Sequence, residues 1–306
     1  MTYTVQQINK KAENPKKAVE KSEKYYNKNI EKLASSIVDD SEKRIVLLAG
    51  PSSSGKTTTA HLLCKSLKEK GLNPYVISLD NFYLPREKLP KLENGETDYE
   101  SVHALDIKEV NNCLESLVKN GRADIPKYDF TVSDEMRKEK ITVTLRDNDI
   151  VIIEGLHALN PLLHEKLSRS SVYKIYISLS SKIHGKHKDT LLSSRDLRLV
   201  RRLVRDYNYR NSPVVNTFEM WAGVLRGEEK FLYCYKRTAD YKFDTFLSYE
   251  PTVLKDECLR LLMEVSPDSD YYGQAQKLIF GMSKFLSVDK SYIPKNSLLN
   301  EFVAKK

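Results

Sequence analysis

Apolar residues at Tyr26, Ile30, Leu33 and Ile37 recur at steps of three and four within residues 16–38, which predicts an amphipathic helix with one buried stripe. The period then changes. Residues 44–49 contain the continuous apolar run Ile45-Val-Leu-Leu48, expected as a strand, and Leu62, Leu63 and Leu67 mark the buried side of a helix closed by Gly71. Further apolar runs at Tyr75–Leu79, Asp149–Ile153 and Val172–Ser178, of the kind found in fully covered parallel strands, alternate with segments of helical period. This alternation predicts an α/β fold: a parallel sheet with helices on both faces and a ligand site at the carboxyl ends of the strands. Leu84–Glu96 is polar and rich in breakers, hence a loop. Thr142–Leu145 is expected as a small extra strand, and beyond Asn211 helices dominate, with one strand candidate at Phe243–Leu247. The expected organisation is a helical N-terminal extension over 1–43, a main domain over 44–250 and a helical C-terminal extension over 251–306.

The turn after the first strand reads Gly50-Pro-Ser-Ser-Ser-Gly-Lys-Thr57, which fits G-x-x-x-x-G-K-[ST] at each fixed position, with a strand before it and a helix after it. Gly50 and Gly55 let the backbone turn tightly enough for successive N–H groups from Ser52, Ser53 and Ser54 through Thr58 to point inward. The helix from Lys56 adds the positive end of its dipole. Inward amides need an anion. A nucleoside triphosphate is therefore expected, with Lys56 on its β and γ phosphates and the Thr57 hydroxyl on Mg²⁺. The sheet becomes one of P-loop NTPase type. No Asn-Lys-x-Asp motif follows the loop, which weakens a GTPase reading and leaves ATP against GTP open.

Two carboxylates stand where strands should end. Glu154 closes the run Asp149–Ile153 and suits a Walker B acid holding a magnesium ion's waters from the neighbouring strand. Asp80 follows Tyr75–Leu79; at the end of a strand beside the loop it would accept a proton from an attacking hydroxyl or help bind magnesium, while a helix N-cap is the plain alternative. Arginine concentrates at Arg195, Arg198, Arg201, Arg202, Arg205 and Arg210. On a helix, Arg198, Arg202 and Arg205 share a face, as a lid over about 190–215 would need, and as nucleic-acid binding would too; the P-loop favours the lid.

Charge and composition narrow the partners. The 306 residues carry 50 Lys and Arg against 42 Asp and Glu, a net charge of +8, which suits an anionic small molecule, a nucleic acid or a membrane surface. No window approaches the roughly 18 apolar residues of a membrane span, and the N-terminus lacks the apolar core of a signal peptide, so a cytoplasmic protein without a membrane partner is expected. The four cysteines, Cys64, Cys113, Cys234 and Cys258, have no metal-ligand spacing and read as reduced thiols.

The stretches GPSSSGKTT, ISLDNFYL, DYESVHALD, IPKYDF, DIVIIEGLHAL and RLVRRLVRDYNYR, in that order over about residues 44–212, resemble the uridine kinase and phosphoribulokinase family of P-loop kinases. ENGETDYESVHALD, MWAGVLRGEEKF and IPKNSLLNEF extend the likeness to a bacterial uridine kinase-like branch, whose members often carry an N-terminal module similar to threonyl-tRNA synthetase; that module is not expected here, because the P-loop begins at Gly50. The resemblance implies an ATP- and Mg²⁺-dependent transfer to a primary hydroxyl, first of all the 5′ hydroxyl of uridine or cytidine. It implies Asp80 as general base and magnesium neighbour, Thr57 and Glu154 as the other metal-site residues, Tyr83 and Tyr128 lining the acceptor pocket, and Arg198, Arg202, Arg205 and Arg210 as lid residues on the phosphates or acceptor.

The departures fall on acceptor recognition. The family's pyrimidine-reading histidine is missing after Phe130, its ribose-binding aspartate is replaced by Glu100, and a lid arginine is replaced by Ser212. His103 and His157 lie near these motifs and are expected as packed or surface residues. Two alternatives stay open: a kinase of another small alcohol, such as a sugar, sugar phosphate or pantothenate-like compound, and a nucleotide-dependent RNA-binding or regulatory protein. A homo-oligomer is also open, since Trp221, Tyr233 and Tyr235 could form a subunit contact or cover the adenine, although core packing is the plainer role.

Overall fold

The computed structural model describes residues 2–40, 42–127, 139–185 and 189–304. The chain opens with strand β1 (Thr2–Thr4) and helices α1 (Val5–Ala12) and α2 (Pro15–Val38), then runs through β2 (Ile45–Ala49), α3 (Lys56–Glu69), β3 (Asn73–Ser78), α4 (Ile107–Asn120), β4 (Arg122–Pro126), β5 (Lys140–Thr144), β6 (Asp149–Glu154) and β7 (Val172–Ser178). Short strands β8 (Lys182–His184) and β9 (Thr190–Leu192) precede α5 (Ser194–Arg210) and α6 (Val214–Phe231); β10 (Tyr241–Asp244), α7 (Glu250–Leu262) and α8 (Tyr272–Met282) follow.

Five of these strands form a parallel sheet in the order β10-β7-β2-β6-β3. All of β2 is buried, because alternate side chains feed two cores. Val46 and Leu48 pack with Tyr26, Ile30, Leu33 and Ile37 of α2 and Leu63 and Leu67 of α3. On the other face Ile45 and Leu47 join Val110, Leu114 and Leu117 of α4. That double cover explains a strand that is apolar at every position. A third core unites α5, α6, α7 and α8 around Leu203, Phe218, Trp221, Leu261 and Leu278. No helix among the described residues is long and apolar enough to cross a membrane.

Helix α2 begins where Asn14 caps the Lys17 amide and Pro15 takes the first helical position, so a missing N–H is lost where none is needed. The predicted strand near Thr142–Leu145 is β5, and its antiparallel partner β4 gave no clear signal in the sequence. The candidate at Phe243–Leu247 pairs only as far as Asp244, since Thr245–Tyr249 turns away into α7.

Two expectations need correction. Tyr75–Leu79 is not a fully covered strand beside the P-loop strand: β3 lies at the sheet edge, with β6 between it and β2, and Tyr75 is 38% exposed. Nor does the arginine segment offer Arg198 and Arg202 on an open face, as a lid or a nucleic-acid surface would need. Arg198, Arg201 and Arg202 are as buried as their apolar neighbours, because α5 runs through the third core and meets buried acids from later elements.

One of these pairs is Arg201 with Glu250, whose Nε–Oε1 and Nη2–Oε2 distances are 2.6 and 2.7 Å, with 0% and 1% of their side chains exposed. Glu250→Ala strands the guanidinium without its partner and is expected to lower unfolding free energy by about 3–5 kcal/mol in a urea titration; a loss below about 1 kcal/mol, the range of a solvated surface pair, would show that water replaces the carboxylate.

Candidate active site

Sheet register assembles the site. Leu48 of β2 pairs with Glu154 of β6, and Glu154 pairs with Ser78 of β3, so three strands end in one row. The glycine loop, the Glu154 carboxylate and the turn carrying Asp80 therefore emerge side by side.

Within the loop, Ser53 has φ 57° and Gly55 has φ 84°. A Cβ on Gly50 would lie 2.3 Å from the Ile177 carbonyl oxygen, so that glycine is required by close approach, while Gly55 is required by its left-handed φ and packs under Leu298. Helix α3 starts straight after Gly55, and no side chain caps its first amides. The hydroxyls of Ser53 and Ser54 are buried without hydrogen-bond partners. Uncapped amides, orphaned hydroxyls and a dipole end in one concavity fit a bound phosphate.

The loop is held from behind by α5. Arg198 donates to both Glu228 oxygens at 2.6 and 2.7 Å and to the Ser52 carbonyl at 3.0 Å. Glu228 in turn accepts the Ser52 N–H at 2.9 Å. Arg201 reaches the Ser53 carbonyl at 3.3 Å, and Arg202 donates to the Ser52 hydroxyl at 2.7 Å. Arg198, expected in a mobile lid, is thus a fixed strut: its partner Glu228 is wholly buried on α6, and neither charge could leave the other without being stranded.

Arg202, Arg205 and Arg210 gather instead around Asp206, at 3.2, 2.8 and 3.5 Å. One carboxylate against three guanidinium groups leaves surplus positive charge. Burial first, then the neighbouring Arg205, pulls the Arg210 pKa down, and both Asp80 and Glu301 lie close enough to oppose that shift.

Lys56 folds back to donate to the Pro51 carbonyl at 3.2 Å, and its charge is felt at Asp80, Glu154 and Glu100. Asp80 is open to solvent, yet enough protein surrounds it that lost hydration raises its carboxyl pKa against the pull of Lys56 and Arg210. Burial likewise raises Glu154, which Ser78 hydrogen-bonds; the same Ser78 hydroxyl accepts the Asp80 N–H at 3.3 Å. The N-cap reading of Asp80 does not apply, since Ser78 caps that turn. Thr57 is exposed at the mouth of the loop.

On the acceptor side, Glu100 packs on Gly227 of α6, and burial raises its pKa while Arg202 opposes the rise. The Tyr83 hydroxyl donates to the Tyr99 carbonyl at 3.0 Å. Tyr128 lies outside the described residues. His157 is 3% exposed, with its ring edge-on to Phe231 at 5.7 Å. The Glu100 backbone lies close enough to favour the charged ring, but neither ring nitrogen makes a well-aligned hydrogen bond; burial, and then Lys56, push its pKa down to about 3.

Three acids that position the site were not picked out in the sequence: Glu228, Asp206 and Glu301. Glu301 accepts from the Thr58 hydroxyl at 2.8 Å, beside Leu298, which covers Gly55. The stretch IPKNSLLNEF carried the only signal for it, through its likeness to the bacterial branch.

A family model described as "Phosphoribulokinase / Uridine kinase family" matches residues 45–247. The chain belongs to this family. It is a small-molecule kinase of P-loop type, a phosphotransferase acting on a hydroxyl. The uridine kinase of Mycoplasma genitalium is 29% identical to it over 202 residues, covering 66% of this chain and 84% of that one. The uridine kinase of Macrococcus caseolyticus is 28% identical over 201 residues, covering 65% and 87%. Among solved structures, a possible uridine kinase from Bacillus stearothermophilus superposes with a TM-score of 0.47 at 20% identity, covering 70% of this chain and 97% of that one.

Two measurements test the geometry of this kinase site. Glu301→Gln removes an anion from the helix end where phosphate should bind, so nucleotide affinity is expected to tighten about 2- to 30-fold in calorimetry, the range of a charge at a helix N-terminus; weaker binding would make Glu301 a ligand. By NMR, the His157 ring is expected to stay neutral from pH 5 to 8. As its folded pKa lies below the unfolded value, it subtracts stability progressively as pH falls below about 6.5; titration near 6.5 in the folded protein would refute the buried neutral state.

Proposed function

We propose that the chain transfers the γ-phosphate of ATP, with Mg²⁺, to the 5′ hydroxyl of a ribonucleoside, uridine or cytidine first. The observation that carries this reading is the row formed by the phosphate-loop strand, Glu154 and the Asp80 turn, which lets one ligand touch all three. The relatives named uridine kinase support the acceptor.

In this scheme the acceptor oxygen forms a bond to the γ phosphorus as the bond to the β–γ bridging oxygen breaks, and the hydroxyl proton passes to the Asp80 carboxylate. A carboxyl raised by burial is a better base near neutrality than a solvated one. Lys56 and the loop amides would hold the β and γ oxygens, while Arg202, Arg205 and Arg210 supply the surplus charge that balances the transferring group. Thr57, Glu154 and Asp80 would hold magnesium, which neutralises phosphate charge when bound. Among the described residues no cluster of three or more His, Cys, Asp or Glu could hold a metal by itself; the three residues fit an ion that keeps waters and leans on substrate phosphates. Glu100 would accept from ribose hydroxyls, and Tyr83 and Tyr128 would line the pocket.

The missing histidine after Phe130 favours, as a second reading, another small alcohol as acceptor. The RNA-binding alternative loses one of its supports, since Arg198, Arg201 and Arg202 are buried and paired.

A coupled ADP-release assay across nucleosides and sugars is expected to give turnover with uridine or cytidine. Asp80→Asn should keep nucleotide binding and lose roughly 10²- to 10⁴-fold in rate. Turnover confined to sugars would overturn the nucleoside acceptor, and a fully active Asp80→Asn would overturn the base.

A further inference from the structure

A second cationic concavity lies away from the phosphate loop. It is a groove of about 500 Å³ where α1 and α2 meet the turn after β10, with Lys10, Lys11, Lys17, Lys21, Tyr25 and Phe246 on its walls and no carboxylate among its lining residues. That volume is typical of small-molecule sites. Among the described residues none of the four ammonium groups meets a carboxylate in an ion pair. Asp244, whose charge acts on the Tyr3 hydroxyl, is already engaged by the Ser180 and Phe246 N–H groups and the Ser181 hydroxyl. Lys11 is half-buried over the Tyr3 ring, 5.2 Å from its centroid, and burial and the like charge of Lys21 both lower its pKa. The floor is aromatic, since the Tyr3 and Phe246 rings lie 5.0 Å apart, and Tyr25 is 50% exposed at the rim.

Four unpaired cations around aromatic faces fit a ligand with several negative charges and a flat ring. We propose that this groove is a second, effector site for a nucleoside polyphosphate. Its route to the catalytic loop is short. Phe246 and Ser248 belong to the turn in which Thr245 accepts from Arg201 through both its carbonyl and its hydroxyl, at 3.0 and 3.2 Å. The Leu247 N–H meets Glu250, the buried partner of Arg201, and Arg201 holds the Ser53 carbonyl. A ligand that shifts Phe246 therefore acts on one of the struts of the P-loop. Binding here does not depend on which acceptor the kinase uses.

The test is calorimetric stoichiometry on the full chain with UTP, CTP, ATP and GTP in turn, alongside inorganic triphosphate and a short single-stranded RNA. The expected result is two sites for at least one nucleotide. Lys56→Ala should remove one, and Lys11→Glu with Lys21→Glu should weaken the other more than tenfold while leaving the intrinsic affinity of the first, that with the groove empty, within about twofold. Tyr25→Ala, a milder change at an exposed position, should weaken the second site alone. Occupancy of one site should shift affinity at the other about fivefold or more, the lower range of allosteric coupling. A single site abolished by Lys56→Ala, two uncoupled sites, inorganic triphosphate binding the groove as tightly as any nucleotide, or RNA as its only ligand would each overturn the proposal.

Discussion

The site depends on two guanidinium groups buried behind a glycine loop. Arg198 and Arg201 hold the carbonyls of Ser52 and Ser53, and each is neutralised by an acid that is itself out of water, Glu228 and Glu250. Buried charges are tolerable only when paired and hydrogen-bonded, so neither arginine can swing away. With two carbonyls and the Ser52 N–H taken from one side, and the Ser54 N–H on the Pro51 carbonyl, the loop keeps the uncapped N-terminus of α3 for the other side. Preorganised donors of this kind stabilise developing charge without reorganising during the reaction.

Around that fixed cradle the parallel sheet supplies alignment and the cleft supplies electrostatics. Glu154 and Asp80 reach the cradle because β6 and β3 end level with β2, and the Ser78 hydroxyl links the Glu154 carboxyl to the backbone N–H of Asp80. Both carboxyls are raised by burial and held back by Lys56. The counter-charge is divided in two. Arg198 and Arg201 serve the loop, while Arg202, Arg205 and Arg210 share the single acid Asp206 and remain available to a polyanion.

Local pattern made much of this legible. The strand, glycine turn and helix over 44–71 could be read because β2 is buried on both faces and the loop motif has fixed spacing. Lys56, Asp80 and Glu154 stand at strand and loop ends, where their residue types suggest chemistry. Strand order could not be read, because the edge place of β3 comes from packing between segments far apart in the chain. The arginines were misjudged for the same reason. Glu228 lies 30 residues from Arg198, Glu250 lies 49 from Arg201, and Glu301 lies 243 from Thr58, so helical periodicity held no trace of the partners that decide each role.

A preformed cradle is most directly tested by backbone ¹⁵N order parameters for residues 50–58, measured with and without MgATP. Struts that hold the loop in advance predict values near 0.85 in both states, as in the flanking strand. Values below about 0.6 in the free protein, rising only when nucleotide is added, would mean that the ligand rather than the buried arginines shapes the loop.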